Sequence, residues 1–157
     1  MKQYCYYPSP IGELLLTGSS GILQEIYFPC EAENITISTS MTENKTSFSP
    51  VRKQLSEYFA GERKTFSIPF SPAGTPFQGR VWMELQKIPY GHTASYGEIA
   101  ERIGNPKACR AIGMANGKNP IPIIIPCHRI IGKDGSMTGF GGGLKIKKFL
   151  LDLEQRG

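Results

Sequence analysis

The apolar positions near the start of the chain fall in three short runs, Gln3 to Tyr7, Glu13 to Thr17 and Ile22 to Phe28. Pro8-Ser9-Pro10-Ile11-Gly12 and Gly18-Ser19-Ser20-Gly21 separate them, and both are turn signals. Two tight connections in succession predict an antiparallel meander of three strands. The polar stretch from Glu31 to Ser47 reads as a loop with room for a short strand around Ile35 to Ser38. Ser49-Pro50 then opens a helix, with Ser49 as N-cap and proline at the first helical position. Val51, Leu55, Tyr58 and Phe59 share one helical face, and Gly61 is placed to end the helix in a left-handed conformation. The aromatic residues of this half read as core, and no constellation in it looks chemical. The Pro-rich stretch through Ile68-Pro69-Phe70-Ser71-Pro72-Ala73-Gly74 reads as a linker.

Helical spacing dominates the second half of the chain. Thr75-Pro76-Phe77-Gln78 is a capping box, and its helix should bury Phe77, Val81, Trp82 and Leu85 before ending near Ile88-Pro89. Ser95-Tyr96-Gly97-Glu98 is a second capping box, whose helix should run to Ile103 and stop at Gly104. Asn105-Pro106 should at once start another, through Lys107, Arg110 and Met114 to Gly117. Two short helices around a tight Gly-Asn-Pro turn fit a helix-turn-helix. Small residues at Ala108, Ala111, Gly113 and Ala115 surround Arg110; they allow close approach either to a groove or to another helix. Ile146, Phe149, Leu150 and Leu153 mark a last amphipathic helix with Lys145, Lys147 and Lys148 near its start. The Gly139-Phe140-Gly141-Gly142-Gly143 loop before it offers bare backbone amides, and is equally readable as a surface loop.

One stretch fits neither period. The apolar run Ile121 to Ile125 lies among Pro120, Pro122 and Pro126, so it is neither an ordinary helix nor a central strand. It suits a rigid, buried lead-in to Cys127 and His128. A thiol held there beside an imidazole has the conditions for nucleophilic activation. By itself the pair is also compatible with a small core cysteine, and on a strand two neighbours would point to opposite faces.

At 157 residues, 39% hydrophobic and 20% charged, the chain has the composition of an ordinary globular protein. It shows no segment of membrane-spanning length and no signal peptide, so a cytoplasmic setting is the expectation. Cys5, Cys30, Cys109 and Cys127 form no Cys-x-x-Cys pair, and His92 and His128 are the only histidines, which leaves few zinc ligands. A Cys5–Cys30 disulfide or weak metal site stays open, with free thiols the default. Charge is segregated. Residues 1–74 carry six basic and seven acidic side chains, whereas residues 75–157 carry twelve and six. That excess positive charge points to a polyanion, most simply nucleic acid, or to a solvated basic face.

The string Asn-Pro-x-Pro-Ile-Ile-Ile-Pro-Cys-His-Arg-Ile-Ile-Gly from Asn119 resembles the active-site signature of the O6-alkylguanine-DNA alkyltransferases, or methylated-DNA–protein-cysteine methyltransferases. The resemblance spans Thr75 to Glu154 and includes Thr-Pro-Phe-Gln-x-x-Val-Trp, Ser-Tyr-Gly-Glu-Ile-Ala, Gly-Asn-Pro-Lys-Ala-x-Arg-Ala and Gly-Gly-Gly-Leu. The N-terminal half fits only by layout. The resemblance implies an α+β fold: residues 1–74 as a scaffold of a small three-stranded sheet with a helix, and residues 75–157 as a mainly helical DNA-binding and transfer domain.

It also implies irreversible, single-turnover transfer of an alkyl group from O6 of guanine, or O4 of thymine, in duplex DNA. By position, Cys127 would be the nucleophile, His128 would take its proton through a water, and Glu154 would orient the imidazole. Asn119 would brace the turn, and Tyr96 would donate a proton to the departing purine. Arg110 would fill the space left by the flipped nucleotide, with Ser95, Tyr96, Gly97, Asn105, Ala111 and Lys133 also at the DNA. Ile130, Met137, Phe140, Gly141 and Gly142 would line the pocket. No metal and no organic cofactor is implied, and the protein would act as a monomer. Phe140 stands where the family commonly has tyrosine, and Cys109 where alanine is usual. A non-catalytic sensor of alkyl lesions is the main rival, and a thiol hydrolase or a transcriptional regulator lies further off.

Overall fold

The computed structural model describes residues 2–135, 140 and 142–156. The three expected strands are present as β1 (Gln3–Ser9), β2 (Gly12–Ser19) and β3 (Ile22–Tyr27), paired antiparallel in sequence. Ser20 and Gly21 both have positive φ, which matches the right-handed strand twist in a two-residue hairpin turn. Between Thr17 and Gly18 the register slips. A side chain at Gly18 would lie 2.3 Å from the Ile22 carbonyl oxygen, so only glycine allows that approach.

The sheet has four strands, in the order β3-β2-β1-β4. The fourth, β4 (Thr42–Glu43), runs parallel to β1 at its outer edge. It replaces the strand anticipated around Ile35 to Ser38. Two polar residues carry no period-two signal, and backbone bonds from Thr42 to Lys2 and from Asn44 to Tyr4 hold them. Before it, Pro29–Ala32 form the single turn α1.

Helix α2 (Ser49–Phe59) begins one residue earlier than expected. Phe48, itself buried, occupies the N-cap, and Ser49 lies inside the helix rather than capping it. Gly61 does terminate it at φ +78°. Helix α3 (Pro76–Leu85) is closed by the anticipated box: Gln78 N–H donates to Thr75 Oγ1 at 3.1 Å, and the Thr75 N–H donates to Gln78 Oε1 at 2.9 Å. Phe77 is only half-buried. Ser95 and Glu98 close α4 (Tyr96–Arg102) in the same way.

Helix α5 (Cys109–Gly117) does not start at Asn105-Pro106. Those residues form a turn, with Ala108 N–H bonded to the Asn105 carbonyl, and the helix begins after it. The corner still sets α5 against α4: the nearest atoms to a Cβ on Gly113 would be those of the Tyr96 ring, at 3.7 Å. Part of the small-residue face therefore serves helix packing, while Ala111 remains exposed. Trp82 Nε1 donates to the Ala115 carbonyl at 2.9 Å and ties α3 to α5. Two residues each from β5 (Ala94–Ser95) and β6 (Ile130–Ile131) pair in parallel, and α6 (Leu144–Arg156) ends the chain.

The buried apolar residues form one cluster drawn from both halves. Leu14, Leu16, Leu23, Leu55 and Tyr58 belong to it together with Val81, Trp82, Ile99, Ile125 and Leu150. Among the described residues no helix is long and apolar enough to cross a membrane.

Candidate active site

The lead-in to Cys127 is a folded loop. Ile125 N–H bonds the Ile121 carbonyl at 2.9 Å, and Ile123 between them is held at φ +76°, a conformation hostile to a β-branched residue. Asn119 spans it. Its side-chain oxygen accepts from Ile121 N–H at 3.0 Å, and its amide donates to the Ile125 carbonyl at 2.8 Å. Pro126 then passes the chain into one turn of 3-10 helix, Cys127–Arg129. Successive side chains in such a turn are rotated by about a third of a circle. The concern that Cys127 and His128 would point to opposite faces of a strand therefore does not arise. Asn116, which nothing in the sequence singled out, donates to the Cys127 carbonyl at 3.4 Å.

His128 is fully buried, and its Nε2 lies 2.6 Å from Glu154 Oε2. Glu154 lies near the C-terminal end of α6. It is buried, and five contacts converge on its two oxygens. Gly91 N–H (3.2 Å) and Arg129 Nε (2.8 Å) donate to Oε1; the Tyr58 hydroxyl (2.6 Å), His128 Nε2 and Arg129 Nη2 (3.1 Å) meet Oε2. Arg129 also donates to the Ile88 carbonyl at 2.7 Å and stacks over the Tyr90 ring. Burial would raise the Glu154 carboxyl, but the hydrogen bonds and charge of His128 and Arg129 outweigh it and hold the group well below the usual carboxylate range. The imidazole moves the other way: burial pushes it below its ordinary value against the pull of Glu154. A neutral ring facing a carboxylate donates from Nε2, which leaves Nδ1 with the lone pair. Nδ1 is buried and has no hydrogen-bond partner among the described residues.

Cys127 is buried beside this pair. Burial pushes its thiol up to about 11, while the Asn119 amide and the Lys147 charge act in the opposite direction. At neutral pH roughly one thiol in 10⁴ is ionised, so the resting site holds a thiol and a neutral imidazole rather than an ion pair. Lys147, one of the three lysines near the start of the last helix, is fully buried. Its position three residues before Leu150 and seven before Glu154 puts it on the inner face of α6, a spacing visible in the sequence.

The β5–β6 pairing sets the start of α4 against the strand that follows the thiol. Ser95, Tyr96, Gly97 and Lys133 gather around an open cleft of about 510 Å³, with Cys109, Glu98 and Glu101 on its walls. Arg110, Ala111 and Asn105 are exposed on the same helical corner. Ile130, paired with Ala94 of β5, is buried. The Phe140 ring packs tilted against Phe28 with centroids 5.3 Å apart, and a side chain on Gly142 would come within 2.6 Å of that Phe28 ring. Met137 and Gly141 lie outside the described residues. None of the four cysteines is in a disulfide, which removes the Cys5–Cys30 bridge, and the described residues contain no group of three or more metal-ligating side chains.

Three residues of this cluster carry no part of the chemistry expected from sequence. Arg129 stands in the motif itself and Lys147 follows from helical spacing. Tyr58 sits 96 residues from its partner Glu154, and no local signal reveals that contact.

Comparison with known proteins places this geometry among relatives. The family model described as "6-O-methylguanine DNA methyltransferase, DNA binding domain" matches residues 76–156, and that described as "6-O-methylguanine DNA methyltransferase, ribonuclease-like domain" matches residues 2–72. A methylated-DNA–protein-cysteine methyltransferase from Methanosarcina acetivorans is 50% identical over 151 residues, covering 96% of this chain and 97% of its own. The crystal structure of Mycobacterium tuberculosis O6-methylguanine methyltransferase superposes with a TM-score of 0.91 at 47% identity, over 99% of this chain and 94% of that one. A structure of Mycobacterium tuberculosis OGT in complex with DNA gives 0.91 and 47%, over 98% and 93%.

Proposed function

The chain belongs to the 6-O-methylguanine DNA methyltransferase family, and from that premise we propose that Cys127 is the thiol that receives the alkyl group. The activity is DNA repair by direct alkyl transfer from O6 of guanine to a cysteine of the protein itself, and DNA is the partner. In the proposed step Cys127 Sγ attacks the alkyl carbon, the carbon–O6 bond breaks, and its electron pair leaves with guanine. The thiol proton passes to Nδ1 of His128 through a water. Glu154 balances the imidazolium that forms, and the Tyr96 hydroxyl gives a proton to the departing purine. The S-alkyl thioether has no route back, so each molecule acts once.

The observation that carries this assignment is the 2.6 Å contact between His128 Nε2 and Glu154, which leaves Nδ1 as the ring's acceptor on the residue that follows a buried thiol. Asn119 keeps the thiol-bearing turn in place. Arg110, exposed at the start of α5, would enter the duplex as the target nucleotide leaves it. Ser95, Tyr96, Gly97, Asn105, Ala111 and Lys133 would face the DNA, and Ile130, Phe140 and Gly142, with Met137 and Gly141, would border the base. Residues 1–74 act as scaffold and residues 75–157 as the binding and transfer unit, a division supported by where the two family models meet. The substrate is duplex DNA carrying O6-alkylguanine. The protein works as a monomer in a reducing, cytoplasmic setting, in keeping with four cysteines of which none is in a disulfide.

Incubation with O6-methylguanine duplex DNA, followed by intact and peptide mass spectrometry, tests the reading. One methyl per protein on the Cys127 peptide is expected. Tight binding without an adduct would replace transfer by lesion sensing, and an adduct on Cys109 would mean the wrong thiol has been named.

A further inference from the structure

The first 74 residues contribute no atom to the proposed relay, yet one side chain from them reaches it. Tyr58 lies on the inner face of α2 with no exposed surface, and its hydroxyl donates to Glu154 Oε2 at 2.6 Å. That oxygen is the one contacted by His128 Nε2, also at 2.6 Å. We infer that Tyr58 is a positioning residue for alkyl transfer, setting both the orientation of Glu154 and the basicity of the His128–Glu154 pair from the scaffold side of the molecule. The inference rests on the assignment of Cys127, His128 and Glu154 to the transfer chemistry.

Packing alone would be satisfied by the ring. Tyr58 makes ring contacts with Phe59, Phe66 and Tyr90 at 5.4, 5.5 and 6.1 Å, and a phenylalanine would keep all three. The hydroxyl does something different. A buried phenol next to a carboxylate is held strongly in its neutral form, by burial and then by the Glu154 charge, so it remains a donor. A donor on Oε2 withdraws charge from the same oxygen that must stabilise the imidazolium. It thereby sets how strongly Glu154 favours a proton on His128.

Other groups act on the pair from every side. Arg129 from the 3-10 turn and Lys147 from α6 act by charge, the Gly91 amide from the α3–β5 connection acts by its hydrogen bond, and Tyr90 of that connection faces both Glu154 and Arg156 of α6. All of them stay in place when only the Tyr58 hydroxyl is changed.

Two variants test this in opposite directions. Tyr58→Phe removes the donor, and a fluorinated tyrosine introduced at position 58 strengthens it with little change in size. The single-turnover rate constant for methyl transfer from saturating O6-methylguanine duplex is measured across pH, with peptide mass spectrometry confirming the Cys127 adduct. Removing the donor should raise the acid limb of the profile by roughly half to one pH unit, and strengthening it should lower that limb. A purely structural role would reduce thermal stability without moving the limb. Coincident acid limbs in all three proteins overturn the inference, and the fluorinated protein alone decides it if the phenylalanine variant does not fold. An adduct anywhere but Cys127 would instead sink the site assignment on which the inference rests.

Discussion

Glu154→Gln offers a sharp test of the relay, because glutamine is not an isostere here. The two carboxylate oxygens accept from Gly91 N–H, the Tyr58 hydroxyl, Arg129 and His128, and none of these contacts requires Glu154 to donate. A glutamine must place its NH₂ on one side. On the Oε1 side it would meet the Gly91 amide and Arg129 Nε, neither of which can accept. On the Oε2 side it would meet Arg129 Nη2, which cannot accept and sits at 3.1 Å, but also Tyr58, which can rotate its proton away, and His128, which can accept at Nε2 by changing tautomer. The second arrangement is cheaper, and it moves the imidazole proton to Nδ1, where the thiol proton has to arrive. In a serine protease the equivalent loss of the correct tautomer lowers turnover about 10⁴-fold. A fall of roughly 10³ to 10⁴ in the single-turnover transfer rate is expected here on the same grounds.

The variant also leaves Arg129 buried without its counter-charge. Breaking such a pair costs about 3 to 5 kcal/mol, a large share of the roughly 5 to 15 kcal/mol that holds a domain of ordinary stability. The rate belongs in quench-flow with labelled O6-methylguanine duplex at low temperature, and stability in urea titration. A folded Glu154→Gln protein that transfers within tenfold of the parent would refute the tautomer argument.

The geometry sets three further expectations. Arg110→Ala should slow transfer from duplex DNA far more than from free O6-alkylguanine base, and equal losses on both would remove its role in the duplex. Folding raises the Cys127 thiol from 9.0 to about 11, so the buried thiol contributes roughly 3 kcal/mol below pH 9 that disappears as pH rises through 11. Urea midpoints of the parent should therefore fall more steeply over that alkaline window than those of Cys127→Ala; parallel curves would contradict the burial effect. Gly142→Ala would put a methyl 2.6 Å from the Phe28 ring and 3.0 Å from Phe140, so a loss of about 1 to 3 kcal/mol is expected, and unchanged urea stability would show that the loop yields freely.

Where local chemistry dictated structure, the sequence was easily read. The boxes at Thr75 and Ser95, the left-handed Gly61 and the three-strand meander all follow from residue type and short-range spacing. Errors arose where pairing partners are distant or signals are short. Thr42–Glu43 join the sheet through backbone bonds that polar side chains do not announce, and Asn105-Pro106 form a turn because the helix can begin equally well after them. The site shows the same division. A motif names Cys127 and His128, and a resemblance supplies Glu154. The convergence of Tyr58, Arg129 and the Gly91 amide on one carboxylate is a tertiary fact: the periodicity of Val51, Leu55 and Tyr58 tells which face is buried, not what a phenol meets there.

The burial of Cys127 has a consequence for chemical selectivity. A protein that reacts once is in effect a reagent, and a standing thiolate would be lost to any small electrophile that wandered past. On the proposed assignment of Cys127, a sulfur enclosed and protonated at rest would withhold its nucleophilicity until a guanine lesion is seated and its leaving group is ready to accept a proton. Discrimination would then lie less in how tightly damaged DNA is held than in timing, because the attacking species would come into existence only in the presence of its target.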